Sequence, residues 1–188
     1  MKRALQLLAI VLGSSGALAA AEEVCKSVQL KNPSPTLSDI YAMALGHARA
    51  WKPDAVPARI DNTSLGPLQP DGGSAAWNLM FYSESANANV SISTFRGTYR
   101  RWAQPGGAGR IPDLKPDFAR DGAKLYALAR QHGGTLIDQG YIVMIGTAAA
   151  PGTRHATWYI NYDKDNKSGS ITVIVDANTG AVEKVLKD

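Results

Sequence analysis

Histidine, cysteine, serine and clustered carboxylates are the side chains from which most protein sites are built, and this chain is sparing with the first two. Its histidines are His47, His132 and His155. No two of them stand at the i, i+4 spacing that places a ligand pair on one helix face, and no run of carboxylates accompanies them. A zinc site is therefore not expected, and no metal or cofactor is assigned. His47 and His132 fall in helical segments, where solvated or helix-terminal roles suffice; His132 is placed near a helix C-terminus, a position that suits the macrodipole. A hydrolase of the serine class would need Gly-x-Ser-x-Gly with an acid and a base. Gly72-Gly73-Ser74 lacks that frame. The run Asp163-Lys164-Asp165-Asn166-Lys167-Ser168-Gly169 has the look of a calcium loop. It places Lys at the fifth position, Ser at the sixth where Gly is needed, and Ile174 at the twelfth where a bidentate Glu is needed, so a polar hairpin loop is expected. Gly106-Gly107-Ala108-Gly109 follows no apolar strand and precedes no Lys-Ser or Lys-Thr, which excludes a phosphate loop. No catalytic residue is assigned.

One local cluster stands out as adhesive rather than reactive. Arg96-Gly97-Thr98-Tyr99-Arg100-Arg101-Trp102 holds three arginines and two aromatics. Arg, Tyr and Trp are the types enriched at interface hot spots. Arg96, Tyr99, Arg100, Arg101 and Trp102 are thus the candidate binding residues, and a protein partner is expected. The competing account is a strand end with its aromatics half in the core and its arginines solvated. Nucleic acid is not expected. Without Lys2 and Arg3 the chain carries 18 basic and 16 acidic residues, a net charge of +2, too slight for a phosphate backbone.

The elements that must position these residues begin after a secretory signal over residues 1–21. Lys2 and Arg3 form its basic region, Leu5 to Leu12 its apolar stretch, and cleavage is expected after Ala19 or Ala21. The apolar run is shorter than the ~20 residues of a membrane span, so no transmembrane segment is expected in the mature chain. The expected location is the periplasm or the medium. Cys25, the single cysteine, lies in an N-terminal arm over 22–35; it cannot pair internally and is left as a free thiol or for an intermolecular disulfide.

With 45% apolar residues the rest can form a packed core. Shifted by 81 positions, the chain aligns with itself: Ala76–Phe81 falls on Thr157–Tyr162 and Val90–Ser93 on Ile171–Ile174. The expectation is α+β, with two repeated units, each a helix packed on a three- to four-stranded antiparallel sheet. The first unit spans 36–102 and the second 117–188, with a Gly- and Pro-rich linker over 103–116. In the first, Thr36 and Asp39 form a capping box and Pro53 stops the helix. In the second, Pro116-Asp117 opens the helix, Phe118, Leu125, Leu128 and Ala129 form its buried side, and Gly133-Gly134 ends it. Trp77, Leu79 and Phe81 alternate with Asn78, Met80 and Tyr82, and Trp158, Ile160 and Tyr162 with Tyr159 and Asn161. Further strands are expected at 55–60, 89–95, 98–102, 141–145, 170–176 and 181–186.

The helix ending in Gly133-Gly134, the strand Trp158–Tyr162 and the run Ile171-Thr172-Val173-Ile174-Val175-Asp176-Ala177-Asn178-Thr179-Gly180-Ala181-Val182 together resemble the PepSY family. The first unit departs from that pattern, with Phe95-Arg96-Gly97-Thr98-Tyr99 where the second has Asp176-Ala177-Asn178-Thr179-Gly180. The resemblance implies a non-catalytic domain, with binding or inhibition of peptidases in some members. The expected function is an exported module that docks on a peptidase or another envelope protein. Two alternatives stand beside it. One is a small-ligand carrier or small enzyme with a pocket between helix and sheet, lined by Trp77, Trp158, Tyr82 and Tyr159. The other is an envelope structural or secretion accessory protein assembled through Cys25.

Overall fold

The computed structural model describes residues 28–106, 120–148, 155–165 and 167–187. The expected signal segment, Cys25, most of the linker and the expected start of the second helix at Pro116 to Phe118 lie outside them. In chain order the elements are β1 (Val28–Gln29), α1 (Leu37–Trp51), β2 (Val56–Asn62), β3 (Trp77–Ser83), β4 (Ala88–Phe95) and β5 (Thr98–Pro105). Then come α2 (Gly122–Asp138), β6 (Ile142–Ala148), β7 (Thr157–Lys164), β8 (Lys167–Asp176) and β9 (Val182–Lys187).

The helix α1 starts where its sequence says it should. The Thr36 hydroxyl accepts the Asp39 N–H at 3.3 Å and donates to the Asp39 carboxylate at 2.8 Å, which satisfies an N–H left over at the first turn. Leu37, Ile40, Tyr41, Ala44 and Ala48 form its buried stripe, at the spacing of one helix face. The helix α2 is capped by Asp121, which accepts the Lys124 N–H at 3.0 Å. Its buried stripe is Gly122, Leu125, Ala129 and Gly133.

Gly133-Gly134 does not end α2. The helix continues to Asp138 with a kink at Gly133, whose φ of −129° leaves the helical range. The cause is Tyr162 of β7. Its ring lies where a Cβ at Gly133 would stand, and its hydroxyl donates to the Ala129 carbonyl at 2.6 Å. That carbonyl is the one a regular helix gives to residue 133. The glycine is there for room. As a consequence His132 lies inside the helix rather than in its last turn.

The largest correction concerns the sheet. Two repeated helix-on-sheet units were expected; instead all strands among the described residues join one antiparallel sheet in the order β1-β5-β4-β3-β2-β6-β7-β8-β9. Among the described residues the chain is mostly sheet, with two helices on one face. Trp77, Leu79, Phe81, Val90, Ile92, Ile60, Val143, Ile145, Trp158, Ile160, Tyr162, Val173 and Val175 are all buried and form one hydrophobic cluster with the helix stripes. Period-two alternation sends each strand's other residues to the opposite face. In β3 these are Asn78, Met80 and Tyr82, all half-buried.

The sheet is joined at its middle by side chains more than by main chain. Between β2 and β6 only Asp61 and Gly146 pair in register. Two buried polar side chains supply the rest. Asn62 accepts the Ile145 N–H at 2.7 Å and donates to the carbonyls of Val143 at 3.3 Å and Gly66 at 3.0 Å. From the other side, Thr147 accepts the Ile60 N–H at 2.9 Å and donates to the Ile60 carbonyl at 3.3 Å. Asn62 is 2% exposed and Thr147 6%, so water cannot replace these bonds at low cost.

Candidate functional site

Both helices cover the same face of the sheet, since every large side chain they bury against belongs to one set of alternate positions. Among the described residues no helix lies over the other face. It runs from β5 across β4, β3 and β2 to β6 and beyond. The register fixes which residues share it: Trp102 opposite Ser91, Ser91 opposite Met80, and Met80 opposite Arg59. One residue pair along, Arg100 stands opposite Ser93, Ser93 opposite Asn78, and Asn78 opposite Asp61. Arg59, Asp61, Asn78, Met80, Ser91, Trp102 and Gln104 line a depression of about 160 Å³ on this face.

Strand alternation divides the Arg-aromatic cluster. Arg100 is exposed and Trp102 half-buried on the open face. Arg101 pairs with the buried Ile92 and so turns to the helix side, where its charge acts on His47. Partial burial first, and the Arg101 charge second, lower the His47 pKa from its ordinary value. Tyr99 stands opposite Val28 and Thr94 in the ladder. Arg96 belongs to neither face. It forms the two-residue β4–β5 turn with Gly97, both at positive φ, 47° and 79°, as a type I′ hairpin turn demands. Its guanidinium lies 5.0 Å from the Phe95 ring centroid. Of the five residues singled out in the sequence, Arg100 and Trp102 are the two that the register puts on the open face.

Sequence reasoning missed the pair that completes this surface. The Arg59 Nε lies 2.8 Å from Asp61 Oδ1, two residues along one strand and so on one face. Burial pushes the Asp61 pKa up and the Arg59 guanidinium opposes it. The readable signal was Arg-x-Asp within a strand, opposite signs at period two. The face thus offers an indole, a thioether, an ion-paired arginine (Arg59) and an exposed one (Arg100), amides and hydroxyls. Such a set can grip by packing and hydrogen bonding.

The four aromatics expected to line a helix–sheet pocket do not meet. Trp77 and Trp158 are fully buried in the core, with the Trp77 indole N–H donating to the Pro35 carbonyl at 2.9 Å. Tyr82 and Tyr159 stand at the alternate positions of the same strands, on the opposite face. The run from Asp163 to Gly169 is mostly strand, since β7 reaches Lys164 and β8 begins at Lys167.

His155 departs from expectation. It precedes β7, and folding brings two carboxylates to it: Glu183 of β9, with Oε1 at 2.6 Å from His155 Nε2, and Asp176 at the end of β8, with Oδ2 at 3.9 Å. The other Asp176 oxygen accepts the N–H groups of Asn178 and Thr179, each at 2.8 Å. Burial raises the Asp176 pKa, but the backbone N–H bonds from Thr179 and Asn178, the Thr179 hydroxyl and the His155 charge together outweigh it and hold the carboxyl below its ordinary value. The three residues are 21 and 7 positions apart in sequence, which is why spacing rules for a single helix do not find them.

No protein-family model matches the chain, and no curated protein matches it. Among solved structures it is similar in fold to the crystal structure of a "putative lipoprotein" from Clostridium difficile 630, with a TM-score of 0.50 and 15% identity over 90% of this chain and 98% of that one. At that identity the likeness is one of fold. No described helix is long and apolar enough to cross a membrane.

Proposed function

We propose that this chain is an exported, non-catalytic binding module whose open sheet face docks on an acidic surface of a protein partner. The observation that carries it is the continuity of the sheet. Among the described residues nine strands lie in one layer with both helices on one side, and the other side offers a broad platform that a single four-stranded unit could not. The part of it from β5 to β2 holds Trp102, Met80 and Arg59 around one depression, with Arg100 beside them, types enriched at interfaces. Arg100 is exposed and Arg59 keeps one exposed end, which favours a partner bringing carboxylates. Export rests on the signal-like residues 1–21, cleaved after Ala19 or Ala21. The PepSY resemblance of the second half supports binding without chemistry, with secreted peptidases as the first partners to test.

The test is affinity capture from an envelope extract, run in parallel with wild type, Trp102→Ala and Arg100→Glu, with inhibition assays on secreted peptidases. Loss of a hot-spot contact of about 2 kcal/mol weakens binding about thirtyfold. A partner bound by the wild type and lost by both variants is expected. A partner retained by both, or turnover of any substrate by the chain itself, would refute the proposal.

A further inference from the structure

The cluster at His155 has the composition and the reach of a metal site. One imidazole nitrogen and two carboxylate oxygens, from His155, Asp176 and Glu183, lie within 4.8 Å of one another. They come from three backbone segments, and each segment is fixed by something other than the cluster. The backbone N–H of Ala177 donates to the Ala156 carbonyl at 2.8 Å, tying the end of β8 to the residue after His155. The Asp176 carboxylate is oriented by its two turn bonds, which occupy Oδ1 and leave Oδ2 toward the imidazole. Glu183 is the extra residue of a β-bulge: its neighbours Val182 and Lys184 pair with the consecutive residues Val175 and Ile174. A bulge of this kind re-aims one side chain out of the ladder, and here the re-aimed chain reaches His155.

The distances suit a small cation. At metal–ligand bonds of about 2.0–2.1 Å, tetrahedral ligand atoms stand roughly 3.3 Å apart. The observed separations from His155 Nε2, 2.6 Å to Glu183 and 3.9 Å to Asp176, bracket that value, and the two carboxylate oxygens lie within 4.8 Å of each other, so side-chain movements on the order of 1 Å would complete the geometry. The side chains are only 19–39% exposed, and partial burial strengthens the attraction of two carboxylates for a dication. An imidazole donor favours zinc-class ions over calcium or magnesium, which prefer all-oxygen shells.

We propose that His155, Asp176 and Glu183 bind a divalent transition-metal ion of the zinc class, with water completing the coordination. The ion would cross-link the start of β7, the end of β8 and β9. Three protein ligands with an open position also leave room for a donor from a partner.

The experiment is calorimetric titration of Zn²⁺ into the untagged full chain, repeated with His155→Ala, Glu183→Gln and, as a control far from the cluster, His47→Gln. Co²⁺ is titrated alongside to read ligand-field absorption, and circular dichroism checks that each variant is folded. The expected result is one site with a dissociation constant of about 10 μM or tighter. Both cluster variants should weaken it at least about tenfold and abolish the Co²⁺ visible bands, while His47→Gln leaves both unchanged. Weaker binding in the wild type overturns the proposal. So does binding that survives His155→Ala, which would belong to another group such as the Cys25 thiol, or a loss shared by His47→Gln.

Discussion

Replacing Asn62 with alanine tests whether side chains hold the middle of the sheet. Asn62 makes three hydrogen bonds, but they are not equal. The Val143 carbonyl also accepts the Leu68 N–H at 2.9 Å, and the Gly66 carbonyl also accepts the Ser74 hydroxyl. Only the Ile145 N–H, bonded at 2.7 Å, would lose its acceptor. A buried donor left without a partner costs about 1–3 kcal/mol, and the void left by the carboxamide adds about 1 kcal/mol. The expected loss is about 2–4 kcal/mol. For a chain of this size each kcal/mol lowers Tm by about 2–4 °C, so a drop on the order of 5–15 °C is expected. Urea denaturation followed by circular dichroism measures the free energy directly, provided the transition stays two-state. The matched control is Asn161→Ala. That asparagine accepts the Thr172 hydroxyl at 2.9 Å at an exposed position, and its loss should cost about 0.5 kcal/mol or less. Asn62→Asp separates hydrogen bonding from packing, because it keeps the shape and the acceptor but turns an oxygen toward two carbonyls. It should destabilise at least as much as alanine. If Asn62→Ala costs no more than Asn161→Ala, or Asn62→Asp matches the wild type, the account of the join is wrong.

Gly133→Ala should destabilise by about 1–3 kcal/mol, the usual cost of overpacking, because its Cβ would enter the Tyr162 ring; urea denaturation reads it, and a neutral result would contradict the stated cause of the kink. Burial pushes the Tyr162 pKa up to about 12 from an ordinary 10.0. Its contribution to stability is present in full below pH 10.0 and is lost as pH rises through about 12; Tyr162→Phe should remove that alkaline step, seen by denaturation between those limits. Asp54 is held down at about 2 from 3.8, chiefly by the Ser85 backbone N–H and then by the Ser83 hydroxyl. The stability it gives is present above pH 3.8 and lost as pH falls through about 2. Asp54→Asn should flatten the acid limb in that window, and NMR titration of the Asp54 carboxyl should show the low midpoint directly.

Much of the fold was legible wherever one short-range rule governs. The alternation at Trp77–Phe81 and Trp158–Tyr162 placed β3 and β7 and their buried faces, and Thr36-x-x-Asp39 placed the start of α1. What was not legible depends on distant partners. Hairpin spacing pairs neighbours in the chain but cannot say which outer edges join. The join of β2 to β6 rests on Asn62 and Thr147, two ordinary-looking polar residues. Gly133-Gly134 reads as a helix stop until Tyr162, 29 positions on, is known to pack there. The candidate site shows the same limit. Adjacency in sequence grouped Arg100, Arg101 and Trp102, yet a strand sends neighbours to opposite faces. Arg59 and Asp61 were passed over because they lie some forty positions away from the cluster they complete, and the His155 cluster draws its carboxylates from other strands.

The join between β2 and β6 also decides what would happen if the chain were divided at its linker. Each half would carry away a strand edge whose N–H and C=O groups lack the side chains now capping them, the Asn62 amide for one and the Thr147 hydroxyl for the other. A bare, inwardly placed edge of this kind recruits any strand that approaches it. The join therefore covers both edges, and separating the halves should expose them to self-association.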